Sequence, residues 1–494
     1  MADDQALEGV EIRFSSGAIA DDELVLHGVW GREQISRLFT FDLLLSRAHG
    51  PFSDDELDAL LKAPCAIAMG PRPGDVVHGL LESIDVLDQT RTVATRYMAR
   101  LVPNVWLLTL GRASRIYQDT TVPDMVRLIL ESYGMQEGKQ FNILVNRTAK
   151  SPKREYIVQY QESDWDFIQR WLENEGFFYW FSHDAEGEML FIADENDDAT
   201  EIDDPAKVSY RERNNLSSGR LATIWDWQLH QRRIPARLAL VDYNYRKPHV
   251  AVAVSQPVDA QRGFGTVMVY GEHFKDNETG TAIATLRAER MRSERRIYSG
   301  TTDCSRFRVG HTFELENHYD TVNDRKYLIT AIEHRVGQPL DSEGEAPLRY
   351  AASFECIPLD VAYRPERITP WPRIHGFIHA HVDSDSDGEY ADIDADGRYR
   401  VRMPFDMSLK KGTAASRWIR MAQPYAGAGY GMHHPLHKGT EVVVGHVEGD
   451  PDRPVITNAI PNAHTVSPVT QANASQSVVQ TASGIRVEFE DLQS

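Results

Sequence analysis

The chain lacks the features that mark membrane, secreted and disulfide-bonded proteins. No apolar run approaches the roughly 18 residues of a membrane-spanning helix, and the amino-terminal stretch MADDQALEGVEIRF has neither the basic nor the apolar region of a signal peptide. Only three cysteines occur, Cys65, Cys304 and Cys356, and they are widely spaced without a CxxC pair. The sequence therefore predicts a protein that folds in the cytosol with reduced, mostly buried thiols.

Basic residues are also in deficit, with 53 Lys and Arg against 73 Asp and Glu and a formal net charge of −20. Such a chain is repelled by phosphate backbones, which argues against a nucleic-acid partner. The nucleophile elbow GxSxG, the zinc motif HExxH and the P-loop are absent as well, which removes the common enzyme signatures. At 494 residues the chain is long enough for roughly three domains.

Short strand-like runs separated by Gly, Pro and Asp fill the first hundred residues and indicate a β-barrel. Three helices interrupt the later strands, near 122–134, 163–176 and 282–296. The first has Gly134 and the second Gly176 at its end, while the arginines of the third are expected on a solvated or subunit-facing side. Residues 366–372, rich in proline like the preceding stretch, are typical of a connector.

Two groups of side chains could bind a metal ion. His433, His434 and His437 are close enough in sequence to converge on zinc or iron, but Pro435 breaks the helix that would align them. Asp383, Asp385 and Asp387, followed by Gly388, reproduce the first half of a calcium loop, although Asp394 replaces the expected Glu and no helices flank the loop. We favour surface histidines and a solvated acidic loop, and predict no cofactor, metal or catalytic residue.

Two turns stand out in the last third of the chain. Asp396, Gly397 and Arg398 indicate a hairpin, because glycine accepts the positive φ of a tight turn. The run Gly449-Asp450-Pro451-Asp452-Arg453-Pro454 indicates a second turn between strands, with Asp side chains that can bind nearby backbone amides. Together with Trp418, these residues are interpreted as structural.

A series of motifs extends over nearly the whole chain, and those of the last block are the most specific. They are Tyr156-Ile-Val-Gln-Tyr-Gln-Glu-Ser-Asp164 with Phe167, Arg170 and Glu175-Gly176; Asp242-Tyr-Asn-Tyr245 with Pro248; Tyr363-Arg-Pro365; Asp396-Gly-Arg398; Trp418-Ile-Arg420; Ala426-Gly427 with Tyr430-Gly431; Lys438-Gly-Thr-Glu-Val442; and Gly449 to Pro454. In this order the motifs resemble the VgrG spike family of type VI secretion systems, which is related to the hub and needle proteins of contractile phage tails.

The resemblance implies a mainly β protein with some α structure. Residues 1–365 would form a hub of two interleaved β-barrels with the three helices as insertions. The connector at 366–372 would lead to an OB-fold at 373–462. Residues 463–494 would be a tail or the start of a triple-stranded β-helix needle, for which the sequence stops early compared with longer relatives.

The function implied by the resemblance is structural. The chain would form a homotrimer that caps a hexameric inner tube within a baseplate, pierces the target envelope and carries a PAAR-type tip and effectors. It would be cytoplasmic when assembled and then ejected, without stable membrane insertion except during piercing. The alternatives are a spike-associated cell-wall hydrolase and a calcium-dependent surface binding module.

Overall fold

The computed structural model of the chain describes residues 11–70, 75–88, 94–145, 151–202, 206–212, 222–337, 349–408 and 415–492. The chain divides into two compact units. The first comprises Met1–Gly111, Val122–Pro152 and Asp164–Thr369, and the second comprises Arg112–Thr121, Lys153–Ser163 and Pro370–Ser494. The second unit is therefore built from three separate stretches of sequence, and the last boundary falls inside the expected connector.

Four α-helices occur among the described residues, all in the first unit: α1 (Asp54–Lys62), α2 (Val122–Ser132), α3 (Asp164–Glu175) and α4 (Asn277–Ser293). Local signals explain their ends. The side chains of Ser53 and Glu56 form a capping box at the start of α1. The chain leaves α2 and α3 through Gly134 and Gly176, both at positive φ, which glycine adopts without steric cost.

The helix α4 packs through small residues on its buried side. Gly280, Ala284 and Ala288 repeat every four residues and are buried, and a Cβ on Gly280 would lie 2.5 Å from the ring of Phe274. For Arg287 the expectation of a solvated or subunit-facing side is wrong, whereas Arg292 is exposed as expected. The side chain of Arg287 is only 11% exposed and its guanidinium pairs with Glu272 within the same unit, so it does not face solvent.

The strands, in chain order, are β1 (Arg13–Ser16), β2 (Val25–Gln34), β3 (Thr40–Arg47), β4 (Pro64–Ala68), β5 (Val76–Asp88), β6 (Thr95–Val102), β7 (Ala113–Tyr117), β8 (Phe141–Leu144), β9 (Ile157–Glu162), β10 (Phe178–His183), β11 (Glu188–Ala193), β12 (Thr200–Glu201), β13 (Lys207–Tyr210), β14 (Thr223–Gln231), β15 (Arg237–Asp242), β16 (Val252–Pro257), β17 (Thr266–Tyr270), β18 (Arg296–Thr302), β19 (His311–Glu316), β20 (Lys326–Gly337), β21 (Arg349–Pro358), β22 (Phe377–Asp383), β23 (Arg400–Arg402), β24 (Ala426–Gly427), β25 (Tyr430–Gly431), β26 (Glu441–His446), β27 (Pro454–Ala459), β28 (Gln476–Gln480) and β29 (Arg486–Glu490).

A thirteen-stranded sheet organises the first unit, in the order β1-β4-β5-β6-β3-β2-β20-β21-β18-β14-β13-β19-β12. A further pairing of β20 with β19 closes six of these strands into a ring, which is a β-barrel. The long strand β20 also pairs with β2, so it joins the barrel to the amino-terminal strands β1 to β6. Sequence-distant strands are thus interleaved, as the resemblance implied.

A smaller sheet of the first unit carries α4 on one face. Its order is β16-β15-β17, and its buried side chains, among them Leu238, Leu240 and Val252, form a cluster with Ala284 and Ala288 of the helix. The side chains that alternate with these point away from the helix, as the twofold period of a strand requires. On β17 they include Met268 and Tyr270, which are exposed.

The second unit contains a closed five-stranded ring. Hydrogen-bonded strands follow the order β23-β22-β26-β27, and the segment 418–422 closes the gap between the two ends. Tyr399 and Ile419 exchange backbone hydrogen bonds of 2.9 and 2.7 Å, and Ile456 accepts from Ala422 at 2.8 Å. A five-stranded closed barrel is the architecture of an OB-fold.

The stretches 112–121 and 153–163 contribute the paired strands β7 and β9 to the second unit. Ile116, Tyr156 and Val158 belong to the same buried cluster as Ala380, Val401, Val444 and Ile456 of the ring. The hydrophobic core of the second unit therefore includes side chains that lie more than 200 residues before the ring in sequence. At its end, β28 and β29 form an exposed antiparallel pair.

Two compositional predictions can be compared with the fold. All three cysteines are buried free thiols, as predicted. In the described part of the chain, no helix has both the length and the apolar character to cross a membrane.

Candidate functional site

The turn from Gly449 to Pro454 links β26 to β27 and is organised by its own backbone and aspartates. Gly449 has a φ of 71°, and its carbonyl accepts a 2.8 Å hydrogen bond from the N–H of Ile374. The buried side chain of Asp450 accepts from the N–H of Asp452 at 2.9 Å, while its carbonyl accepts from the N–H of Arg453. The prolines Pro451 and Pro454 are buried, so the turn is rigid and packed.

This turn also holds β9. The carboxylate of Asp452 accepts a hydrogen bond of 2.6 Å from the backbone N–H of Val158. Nearby, the guanidinium of Arg417 lies over the ring of Tyr156, 5.5 Å from its centroid, and pairs with Glu155 at 3.8 Å. The turn therefore binds β9, and Arg417, just before the segment that closes the ring, contacts the two residues that precede β9.

The second predicted turn contains Asp396, Gly397 and Arg398. Gly397 has a φ of 70°, and its N–H donates to the carbonyl of Asp394 at 3.0 Å. The carboxylate of Asp394 accepts from the N–H of Asp396 at 3.0 Å and from that of Arg398 at 2.9 Å. The Arg398 guanidinium completes the turn by pairing with Asp394 at 2.5 Å. These hydrogen bonds and this ion pair join residues no more than four positions apart, so the turn is held by local contacts.

Trp418 lies in the segment that closes the barrel, where the guanidinium of Arg400 covers its ring at 4.0 Å. This cation–π contact joins adjacent strands. The neighbouring Tyr399 is fully buried, and its hydroxyl accepts from the N–H of Leu436 at 3.2 Å and contacts His433 Nε2 at 3.2 Å. His437 instead packs its ring against Tyr390. His433 and His437 therefore contact different tyrosines.

The acidic loop that begins at Asp383 is arranged around a serine. The hydroxyl of Ser384, which is buried, donates to Asp392 Oδ2 at 2.6 Å, whereas Asp385 and Asp387 are exposed. Asp383 Oδ1 accepts from the N–H of Ser384 at 3.0 Å. Among the described residues, no group of three or more His, Cys, Asp or Glu side chains is arranged to hold a metal ion. The solvated acidic loop stays a prediction from the sequence, with calcium binding as its alternative.

The first unit contains a buried charged cluster that sequence reasoning missed. Glu33 on β2 accepts from Arg308 Nη1 at 2.5 Å and from His334 Nε2 at 2.8 Å. His334 Nδ1 lies 2.7 Å from the hydroxyl of Tyr350. Because Nε2 donates to a carboxylate, a neutral His334 accepts a hydrogen bond at Nδ1 from the hydroxyl of Tyr350. The cluster then holds one negative and one positive charge and is electrically balanced.

Burial and these partners shift the ionisation of the cluster. Burial acts to raise the pKa of Glu33, but the charge of Arg308 and the bond from His334 outweigh it and hold that pKa well below its ordinary value of 4.5. Burial lowers the pKa of His334, although Glu33 opposes this. Burial followed by the charge of Arg308 lowers the pKa of His183, a nearby histidine, to about 3.

Nothing local in the sequence marks this cluster. Glu33 and Arg308 are separated by 275 positions, and Glu33 and His334 by 301. Glu33 and His334 alternate in strand runs as ordinary surface residues do, and the pairing of β2 with β20 brings them together, while Arg308 reaches Glu33 from the loop before β19. Glu33, Arg308, His334 and Tyr350 are all buried, with exposures of 2%, 5%, 2% and 6%, so the cluster supports structure and offers no open surface to a substrate.

Comparison with known proteins agrees with this geometry. Residues 32–340 match the family model described as phage tail baseplate hub (GPD), and residues 390–460 match the type VI secretion system/phage-baseplate injector OB domain. The second match covers most of the five-stranded ring. The first covers most strands of the interleaved sheet and the whole of the sheet that carries α4.

Similar curated proteins are spike proteins. The type VI secretion system spike protein VgrG1c of Pseudomonas aeruginosa is 30% identical over 94% of this chain and 64% of its own length. VgrG1a of the same organism is 28% identical over 94% of this chain and 72% of its own length. The actin cross-linking toxin VgrG1 of Vibrio cholerae is 28% identical, over 92% of this chain but 42% of the toxin. The chain thus spans less than two thirds of the length of VgrG1c.

Solved structures share the fold. The E. coli c3393 protein, a component of the type VI secretion system similar to the T4 phage tail proteins gp27 and gp5, aligns with a TM-score of 0.66 at 24% identity and covers 91% of this chain and 100% of its own. A chain of the Francisella PdpA-VgrG complex aligns with a TM-score of 0.61 at 8% identity, over 98% of this chain and 76% of the other. Since the hub model alone matches more than half of the sequence, this chain belongs to the phage tail baseplate hub family.

Proposed function

We propose that this protein is the hub and spike subunit of a contractile injection apparatus of the type VI secretion kind. The observation that carries the proposal is the succession, in one chain, of the interleaved hub sheet and the closed OB ring, each matched by a model of that machinery. Similarity to spike proteins over 94% of the chain supports it. The chain would cap the inner tube, pierce the target envelope and deliver tip proteins or effectors.

A homotrimer is the expected assembly. Large apolar side chains remain exposed on the open face of the β16-β15-β17 sheet, including Met268 and Tyr270, and on β28 and β29, including Val487 and Phe489. Exposed apolar area of this kind marks interaction surfaces. Three copies that bury such faces would have few open strand edges and could carry axial load, which suits a piercing device.

Static light scattering on the purified chain tests the assembly. A mass of three 56.0 kDa chains is the expected result, and a stable monomer at micromolar concentration would overturn the trimer. In cells, the tagged chain is expected in the medium only when the contractile sheath is intact. Release that persists without the sheath would point instead to a surface module with its own export route.

We also propose that this chain acts without catalysis. The stretch it shares with the actin cross-linking toxin, 477 residues, is about the length it shares with the spike protein VgrG1c, 483 residues. The shared stretch is therefore the one common to spikes. Purified protein is expected neither to clear peptidoglycan nor to cross-link actin, and either activity would contradict the proposal.

A further inference from the structure

Residues 363–369, which lead to the last boundary between the units, are bound to the first unit mainly through polar contacts. Tyr363 and Arg364 form the inner part. The N–H of Tyr363 donates to Asn196 Oδ1 at 3.0 Å. Arg364, whose side chain is 2% exposed, pairs with Glu289 at 2.8 Å and donates to the carbonyl of Asp194 at 2.7 Å. A buried arginine held in this way loses its ion pair and its hydrogen bond together when it leaves, so its release is costly.

Residues 366–369, which we call the strap, are held differently. Arg367 binds Glu272 through two hydrogen bonds of 3.0 and 2.6 Å. The N–H groups of Ile368 and Thr369 both donate to Glu173 Oε2 at 3.0 Å. The Thr369 hydroxyl donates to Glu173 Oε1 at 2.9 Å. The side chain of Ile368 is 51% exposed, so apolar burial adds little to these contacts.

Both carboxylates that receive the strap have a second partner inside the first unit. Arg287 binds Glu272 at 3.1 Å and also donates to the carbonyl of Asn174 at 2.9 Å. Arg37 and Gln169 bind Glu173 at 3.4 and 3.2 Å. When the strap leaves, each buried carboxylate therefore retains a positive or polar neighbour, and the usual penalty of stranding a buried charge is avoided.

We propose that residues 366–369 are a detachable strap, which opens as a local unit about Pro365 while Tyr363 and Arg364 stay bound and the rest of the first unit stays folded. Opening adds four residues, or at most about 14 Å of extended chain, to the connector that leads to Pro370. Segments with few apolar contacts and polar attachments are those that open below the global unfolding free energy. The strap is a property of this chain and does not depend on the proposed function.

Hydrogen exchange with mass spectrometry on the full chain tests the strap. The substitution Arg367→Gln removes its charge but leaves Glu272 paired with Arg287. We expect exchange at the amides of Ile368 and Thr369 to rise about tenfold, the scale of a hydrogen bond to a charged group, with no change in β10 or in the melting temperature. The control Arg32→Gln breaks an exposed pair with Glu333 and is expected to change neither.

A second variant retains Arg367, after which trypsin can cleave the chain. Thr369→Val removes the hydroxyl bonded to Glu173, and trypsin is expected to cleave the Arg367–Ile368 bond several times faster than in the unaltered chain. Unchanged exchange in Arg367→Gln, or unchanged cleavage in Thr369→Val, would overturn the proposal. Acceleration of β10 by the same factor would do so too, because the strap would then open only with the whole unit.

Discussion

The carboxylate of Asp452 accepts a 2.6 Å hydrogen bond from the backbone of Val158, a residue 294 positions earlier in the chain. The aspartate belongs to the turn between β26 and β27, and the valine to a strand inserted from the amino-terminal half. One side chain therefore connects the turn most characteristic of the OB ring to the strand that completes its core.

Replacing Asp452 with Ala should weaken the second unit by about 1–3 kcal/mol, because the buried amide of Val158 loses a charged acceptor. Denaturant unfolding of the full chain measures this, with Asp387→Ala in the exposed acidic loop as the charge-matched control. Equal stability of the two variants would show that the bond to Val158 contributes nothing. Asp452→Asn retains an acceptor and should fall between them.

Gly310 and Gly397 have similar positive φ values of 72° and 70° but different surroundings. A Cβ on Gly310 would lie 2.2 Å from the buried ring of Trp180, whereas one on Gly397 meets nothing within 4 Å. Gly310→Ala should cost about 2–5 kcal/mol from strain and overpacking, and Gly397→Ala about 1–2 kcal/mol from strain alone. Thermal unfolding compares them. A Gly310→Ala variant no weaker than Gly397→Ala would mean that Trp180 moves aside freely.

Glu33→Gln should cost about 3–5 kcal/mol at neutral pH, because the buried Arg308 loses its counter-charge. The control Glu333→Gln breaks an exposed pair with Arg32 on the adjacent strand and should cost no more than about 1 kcal/mol. The folded pKa of Glu33 is depressed, so its contribution is present above pH 4.5 and is lost as pH falls below that value. When the unfolding free energies of Glu33→Gln and the unaltered chain are measured at decreasing pH, the two values should therefore converge at acidic pH.

The pKa shift of Glu188 leads us to expect the opposite pH dependence of stability. Burial raises its pKa to about 8, against an opposing hydrogen bond from the N–H of Asn104. Between pH 4.5 and 8 the unfolded chain ionises Glu188 while the folded protein keeps the proton, so stability should fall with rising pH by at most about 1.4 kcal/mol per unit.

The variant Glu188→Gln keeps an acceptor for Asn104 and removes the titration. Its unfolding free energy should equal that of the unaltered chain near pH 4 and exceed it near pH 8. The control Glu186→Gln, on the neighbouring exposed loop, should leave the unfolding free energy unchanged at both pH values. A constant difference across this range would contradict a raised pKa at Glu188.

Some helices and turns of this protein could be predicted from short stretches of its sequence. The helices α2 and α3 have periodic apolar side chains, and each is followed by a glycine at positive φ, so their positions near 122 and 163 follow from short stretches of sequence. The turns at Gly397 and Gly449 are equally local, because their aspartates bind amides within a few residues. The ordered series of such motifs was enough to relate the chain to VgrG spikes, and the family models agree.

Only the tertiary structure decided which distant segments belong together. The period of a strand fixes which side chains share a face but not which strand lies beside it, so β7 and β9 could not be assigned to the second unit and its core from their sequences. The same holds for the pairing of β2 with β20, which brings Glu33 to His334, for the loop before β19 that adds Arg308, and for the strap bound by Glu173 and Glu272. These contacts span tens to hundreds of residues, and their energies arise from burial and charge pairing that exist only once the chain has folded.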